Sequence, residues 1–239
     1  MRGVEALDKK VSVIIPAYNE EERIEATIRG LIEPDIEVIG EIIVVDDGSK
    51  DKTREKVMSV QSDHVFCISL PQNLGKGAAL RKGLEIAKYP IIAFLDGDVG
   101  YTSKEIIKLI EPVLYDEADV TIANFPSPNT KGGFGIVKKI SQKGVRLLTG
   151  KSVQNPICGQ RVFTKNVLSN LEIPNGFGVE IGMMIDILNQ NYRIREIPVL
   201  MEHRETKRDM QGFIHRGKEL IDIIRILAKK YYKYKTIVD

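Results

Sequence analysis

Residues 89–98 read YPIIAFLDGD, an apolar run followed at once by two carboxylates flanking a glycine. A run of this length and composition, closed by a polar turn, reads as a buried strand. Its carboxyl end therefore delivers Asp96, Gly97 and Asp98 to one edge of a sheet, ahead of the polar segment VGYTS. Neighbouring carboxylates repel each other unless they are solvated or share a cation. A hard divalent ion that takes oxygens from both protein and diphosphate resolves that conflict. Taken alone, the triplet also reads as a solvated acidic turn; the segments around it argue for more.

Working outward, residues 11–16 (VSVIIP) and 41–45 (EIIVV) read as further buried strands. Residues 20–32 between them carry Ile24, Ile28 and Leu31 at close to helical spacing, which makes a βαβ unit. Asp51 is a suitable N-cap for a helix over about 52–60. Residues 65–70 (VFCISL) give another strand, and 76–87 a helix that leads back into 89–95. This alternation predicts an α/β protein with a mostly parallel central sheet flanked by helices, and ligands bound beyond the strand carboxyl ends. A chain of 239 residues, 43% hydrophobic, suits a single domain. After Asn124, PSPNTKGGFG predicts a flexible loop over about 126–135, placed to close over a ligand.

From Gly217 onward, Leu220, Ile223, Ile224, Leu227 and Tyr231 fall on one helical face, followed by Lys229, Lys230, Lys233 and Lys235. A helix packed on the domain with a frayed basic end is expected, and contact with a membrane surface is left open. The formal net charge of +2 gives no global case for nucleic acid binding. Cys67 and Cys158 lack paired-motif spacing, MRGVEALDKK lacks an apolar signal core, and no apolar run approaches the ~20 residues that span a bilayer. The expected location is the cytoplasm, with peripheral attachment at the inner face of the membrane left open.

Two other strand ends are rich in polar groups: Pro16-Ala17-Tyr18-Asn19-Glu20-Glu21 and Asp46-Asp47-Gly48-Ser49. Carboxylates there can accept hydrogen bonds from a base N–H or from ribose hydroxyls. Gly75-Lys76-Gly77 opens a helix, offering backbone N–H groups, a positive helix end and an ammonium to phosphate. It is not a Walker A loop, because Ala78 stands where a metal-binding hydroxyl is needed and the upstream glycine is missing.

In this order, VSVIIPAYNEEERI, VVDDGSKDKT, NLGKGAALRKG and FLDGDVGYT resemble the nucleotide-sugar half of family 2 glycosyltransferases, which have the GT-A fold. The resemblance implies a donor site of Pro16, Ala17, Tyr18, Glu20, Asp46, Asp47, Lys76, Asp96 and Gly97. Within it Asp47 is the base contact, and Asp98 acts in catalysis and as a metal ligand. It also implies a division into a nucleotide-sugar-binding half (1–123), an acceptor half (124–216) and a C-terminal helix with a basic tail (217–239). The later segments NGFGVEIG (175–182), Ile197-Pro198-Val199 and Glu202-His203-Arg204 are similar to glucosyl-3-phosphoglycerate synthases. That similarity implies His203 as a second metal ligand and Glu180 as a catalytic acid that orients hydroxyls. The implied cofactor is a divalent cation, Mn2+ or Mg2+, and a site mixing imidazole with oxygens suits Mn2+ better.

Arg204, Lys207 and Arg208 add positive charge beside that site, which suits an anionic acceptor, and Gln160 and Arg161 resemble a segment lining the acceptor or sugar pocket. The expected reaction moves a hexose from a nucleotide sugar, UDP-glucose, to a small anionic acceptor such as a phosphoglycerate-like molecule. The opening half is equally similar to polyprenyl-phosphate sugar transferases, so a lipid phosphate is the alternative acceptor, and both retaining and inverting outcomes stay open. Trp is absent and no Gln-X-X-Arg-Trp motif is present, which argues against processive polymer synthesis. A sugar nucleotidyltransferase needs a Gly-rich basic loop where PAYNEEE stands, and a noncatalytic nucleotide-sugar-binding module does not need Lys76 and His203 together with the acids. A homodimer is left open.

Overall fold

The computed structural model describes residues 10–34, 36–125, 134–176, 178–202 and 210–235. The first half alternates strictly: β1 (Val11–Ala17), α1 (Ile24–Ile32), β2 (Ile39–Asp46), α2 (Thr53–Met58), β3 (Val65–Ser69), α3 (Lys76–Ile86) and β4 (Ile91–Phe94). A 3-10 segment, Gly100–Ile106, runs into α4 (Ile107–Leu114). Then come β5 (Val120–Asn124), α5 (Phe134–Thr149), β6 (Arg161–Thr164), α6 (Lys165–Ser169), α7 (Val179–Asn189), β7 (Ile194–Pro198) and α8 (Met210–Lys235).

The described residues form one seven-stranded sheet in the order β3-β2-β1-β4-β6-β5-β7. Neighbours are parallel except β6, which runs antiparallel to both β4 and β5. Strands β1, β2 and β4 are buried almost throughout, because helices cover both faces, and the polar pair inside them, Ser12 and Glu41, is joined by a hydrogen bond of 2.6 Å. The outer strands β3 and β7 are half exposed. Phe94 of β4 and Phe163 of β6 pack with ring centroids 5.1 Å apart at the antiparallel junction. The strand order turns back at β1, with β2 and β3 on one side and β4 on the other. The carboxyl ends of β1, β2 and β4 therefore border one crevice, the place where open α/β sheets bind ligands.

Two expectations need correction. Helix α5 begins at Phe134, inside the stretch expected to be a loop, and the rest of that stretch lies outside the described residues. Helix α8 begins at Met210 rather than near Gly217, and its packed face is only in part the one expected. Ile223 is fully buried, with Leu220, Ile226, Leu227 and Tyr234 partly buried beside it, whereas Ile224 and Tyr231 are 51% and 43% exposed. The buried stripe includes Lys230, only 1% exposed, whose Nζ lies 2.5 Å from Asp186 Oδ2 of α7. Tyr234 donates its hydroxyl to Asp186 Oδ1 at 2.7 Å, and Lys229 pairs with Glu172 at 2.6 Å. The basic end is thus partly an internal latch. Counting apolar residues alone missed it, because a lysine and a tyrosine complete the stripe.

Candidate active site

The loops after β1 and β2 are laced together. Asp46 Oδ1 accepts the Ser49 N–H at 2.9 Å, and Gly48 takes a positive φ of 71° to close that turn. Asn19 donates its N–H to Ser49 Oγ and accepts the Lys50 N–H on its side-chain oxygen. The Glu20 N–H donates to Thr53 Oγ1, and the Glu21 N–H to Asp51 Oδ2. Burial works to raise the Asp51 carboxyl, but the hydrogen bonds from Thr53 and Glu21 outweigh it and hold it below the usual range. Tyr18 is left 40% exposed at the rim.

Asp47 has a structural task beyond the expected base contact. It is 3% exposed, and its two oxygens accept the N–H groups of Leu74 and Gly75, each at 2.8 Å. Burial, helped by the charge on Asp46, pushes its carboxyl up despite those two donors. The end of β2 is thereby tied to the entry of α3. There Gly77 is required by close approach, since a Cβ on it would lie 1.9 Å from the Pro174 carbonyl oxygen. The N-terminus of α3 thus meets the 174–176 segment that leads into α7.

Lys76 sits at this meeting point. Its Nζ is 2.6 Å from Asp96 Oδ1 at the end of β4 and 2.6 Å from Glu180 Oε1 in the first turn of α7. Burial disfavours the ammonium, but the two carboxylates more than compensate and raise its pKa, so Lys76 stays charged. Asp96 Oδ2 accepts from Gln160 Nε2 at 2.7 Å. An ammonium, two carboxylates and the N-termini of α3 and α7 are therefore gathered at one point.

The Asp96-Gly97-Asp98 turn is held from α1 by a residue that the sequence reading passed over. Buried Thr27 donates Oγ1 to the Gly97 carbonyl at 2.8 Å and accepts the Gly100 N–H at 2.9 Å, while Ser103 Oγ donates to the Thr27 carbonyl. A threonine inside an amphipathic helix carries no sequence signal for this role. Asp96 is engaged by both Lys76 and Gln160, and Asp98 is the second carboxylate of this turn. Among the described residues, no group of three or more His, Cys, Asp or Glu is arranged to hold a metal.

Several expected residues stand elsewhere. Arg161 was expected to line the acceptor or sugar pocket, but it is 1% exposed and donates from Nε to the Cys158 carbonyl, from Nη1 to that of Glu180 and from Nη2 to that of Pro156. A buried guanidinium needs its donors satisfied, and here it braces the loop before β6 and the first turn of α7. Gln160, also 1% exposed, turns its amide to Asp96. His203, Arg204, Lys207 and Arg208 lie outside the described residues. Just before them, the Glu202 N–H donates to Thr102 Oγ1, and Glu202 Oε2 lies 3.8 Å from Arg23 Nη1. The same Arg23 nitrogen donates to the Asp98 carbonyl at 3.1 Å.

Residues 12–172 match the family described as Glycosyl transferase family 2. The undecaprenyl-phosphate 4-deoxy-4-formamido-L-arabinose transferase of Pectobacterium carotovorum is 30% identical over 234 residues, covering 92% of this chain and 68% of that protein. A dolichyl-phosphate beta-glucosyltransferase of Trichomonas vaginalis is 26% identical, with 89% and 72% covered. Among solved structures, glucosyl-3-phosphoglycerate synthase from Mycobacterium tuberculosis, in complex with Mn2+, UDP-glucose and phosphoglyceric acid, superposes with a TM-score of 0.78. It is 25% identical, with 95% of this chain and 81% of that chain covered. The expected GT-A fold and both expected resemblances are borne out.

Proposed function

From the premise that this chain belongs to glycosyl transferase family 2 and is a glycosyltransferase, we propose that it moves a hexose from a nucleoside-diphosphate sugar, UDP-glucose, to a phosphate-bearing acceptor. The observation that carries this reading is Lys76, held between Asp96 on the donor strand and Glu180 on α7. Breaking the glycosidic bond leaves negative charge on the departing diphosphate, and a preorganised ammonium beside two helix N-termini meets that charge as it develops. Asp46, Asp47 and the laced loops after β1 and β2 form the seat of the base and ribose. A divalent cation, Mn2+ or Mg2+, fits the hard oxygen of Asp98 and would supply further neutralisation of the diphosphate. Solved relatives are described with either ion. His203 is the proposed second ligand, supported by the way Arg23 links Glu202 to the Asp98 turn.

A phosphate acceptor suits Glu180, whose Oε1 is already engaged by Lys76. A phosphate oxygen is ionised near neutral pH and needs no strong general base, so Glu180 is left to orient hydroxyls. The acceptor we favour is a polyprenyl phosphate. Relatives with that activity align with most of the chain, and α8 turns Ile221, Ile224 and Tyr232, each at least half exposed, toward solvent. A small phosphoglycerate-like acceptor is the second reading, supported by solved relatives described with phosphoglyceric acid and with glycerol 3-phosphate.

Calorimetric titration of wild type and Asp98→Ala with UDP-glucose, GDP-mannose and UDP, each with and without Mn2+, tests the donor site. One sugar nucleotide should bind in a manner that needs both the metal and Asp98. Absence of metal-dependent binding to any of the three would overturn the reading. Transfer assays with a polyprenyl phosphate and with 3-phosphoglycerate then distinguish the two acceptors.

A further inference from the structure

The segment Cys158-Gly159-Gln160 lies against the Lys76–Asp96 pair. A Cβ on Gly159 would stand 2.6 Å from both Asp96 Oδ2 and Lys76 Nζ, so the backbone there touches the pair directly. The Gln160 amide donates to Asp96 Oδ2 at 2.7 Å and is 1% exposed. Its oxygen, buried with it, lies 3.1 Å from Cys158 Sγ, and that thiol is 3.7 Å from the Gln160 carbonyl. Cys158 is itself 7% exposed and is a free cysteine.

We propose that Cys158 is a positioning residue whose thiol proton, given to Gln160 Oε1, keeps the Gln160 amide turned so that its NH2 group holds Asp96 in place for Lys76. An amide is nearly symmetric in shape but not in chemistry. Turned over, it would set its oxygen against the Asp96 carboxylate and its NH2 against the thiol. With a hydrogen-bond donor behind the oxygen, only one orientation satisfies both ends; without it, a buried acceptor is left wanting and the amide turns away or admits water. The thiol is suited to a permanent donor role because burial pushes its pKa up to about 12, so it keeps its proton at any physiological pH.

The substitutions Cys158→Ser and Cys158→Val separate this role from packing. Serine keeps a donor in less volume, whereas valine keeps the apolar volume and removes the donor. A purely packing role makes valine the better replacement; the proposed role makes serine the better one. The direct readout is hydrogen exchange of the Gln160 side-chain NH2 by NMR. It should stay slow in wild type and Cys158→Ser and quicken in Cys158→Val, and unchanged exchange in the valine variant would overturn the proposal. The second readout rests on the donor site described above. Mn2+-dependent UDP affinity should fall roughly 5–10-fold in Cys158→Val, about the worth of one neutral hydrogen bond, and be spared in Cys158→Ser. In a Gln160→Leu background, Cys158→Val should add nothing, whereas a full additive loss would place Cys158 outside this chain of contacts. If wild type fails to bind UDP, the donor reading falls, and the amide exchange still decides the role of Cys158.

Discussion

Lys76 joins the two sides of the site by holding one carboxylate from β4 and one from α7, each 2.6 Å away. Replacing it with methionine leaves two partly buried carboxylates facing each other. Losing the partner of a fully buried charge costs about 3–5 kcal/mol, and the exposure of roughly a quarter of Asp96 should keep the loss here below that range. Lys76→Met should therefore fold with a lowered urea midpoint and lose metal-dependent UDP binding. Lys76→Arg, charged but forked, should recover stability better than affinity. If the methionine variant binds UDP as wild type does, the ammonium is not a donor contact. The sequence singled out Lys76, Asp96 and Glu180 in three separate segments, and the fold brings the three together, while Asp46 and Asp47 also serve the turns in which they sit. The roles of Gln160 and Arg161 were not legible, since sequence does not tell whether a polar side chain turns to a pocket or inward to backbone carbonyls. Thr27 and Cys158 read as ordinary filler, and their roles depend on neighbours 70 and 2 residues away.

Among the elements, α8 governs how firmly the Glu180 helix is seated. Ile226 and Asp222 of α8 crowd Gly178 and Gly176, where an added Cβ would come within 2.6 Å and 2.9 Å respectively. A turn below, Lys230 and Asp186 form an ion pair of which each member is 1% exposed. Lys230→Met should cost up to about 3–5 kcal/mol, because it leaves the buried Asp186 carboxylate with the Tyr234 hydroxyl and, at 4.0 Å, Lys233, whereas the double variant Asp186→Leu/Lys230→Met should regain part of that loss. Chemical denaturation of both decides the matter: a double variant no more stable than the single one would show that the pair is not the latch. The elements of the first half were legible because β1, β2 and β4 are largely apolar runs separated by amphipathic helices. Those of the second half were harder to read. β6 is four residues beginning with an arginine, β7 sets two adjacent charged residues, Arg195 and Glu196, between isoleucines at a sheet edge, and the pairing that defines both is long-range.

On the scale of the whole molecule, the site at the strand carboxyl ends and the outer face of α8 are the surfaces through which a lipid-linked acceptor would be met. Among the described residues, no helix is long and apolar enough to cross a membrane. Ile221, Ile224 and Tyr232 are 50%, 51% and 70% exposed, and Arg225, Lys229 and Lys233 stand on the same helix with side chains at least 45% exposed. Arg225 and Lys229 are paired to Asp222 and Glu172, but exposed pairs are worth little and exchange readily for lipid phosphates. Each basic residue near an anionic surface contributes about 1 kcal/mol, and this attraction fades with salt. The protein should therefore float with phosphatidylglycerol-rich vesicles at low salt, less so at high salt, and poorly with purely zwitterionic vesicles. The triple variant Ile221→Glu/Ile224→Glu/Tyr232→Ser should stay in the aqueous fraction while binding UDP as wild type does, because these residues lie on the face of α8 turned away from α7. A wild-type chain that stays with the aqueous fraction at low salt would remove the support that α8 lends to a lipid acceptor. The phosphoglycerate-like reading would then be the one to carry forward.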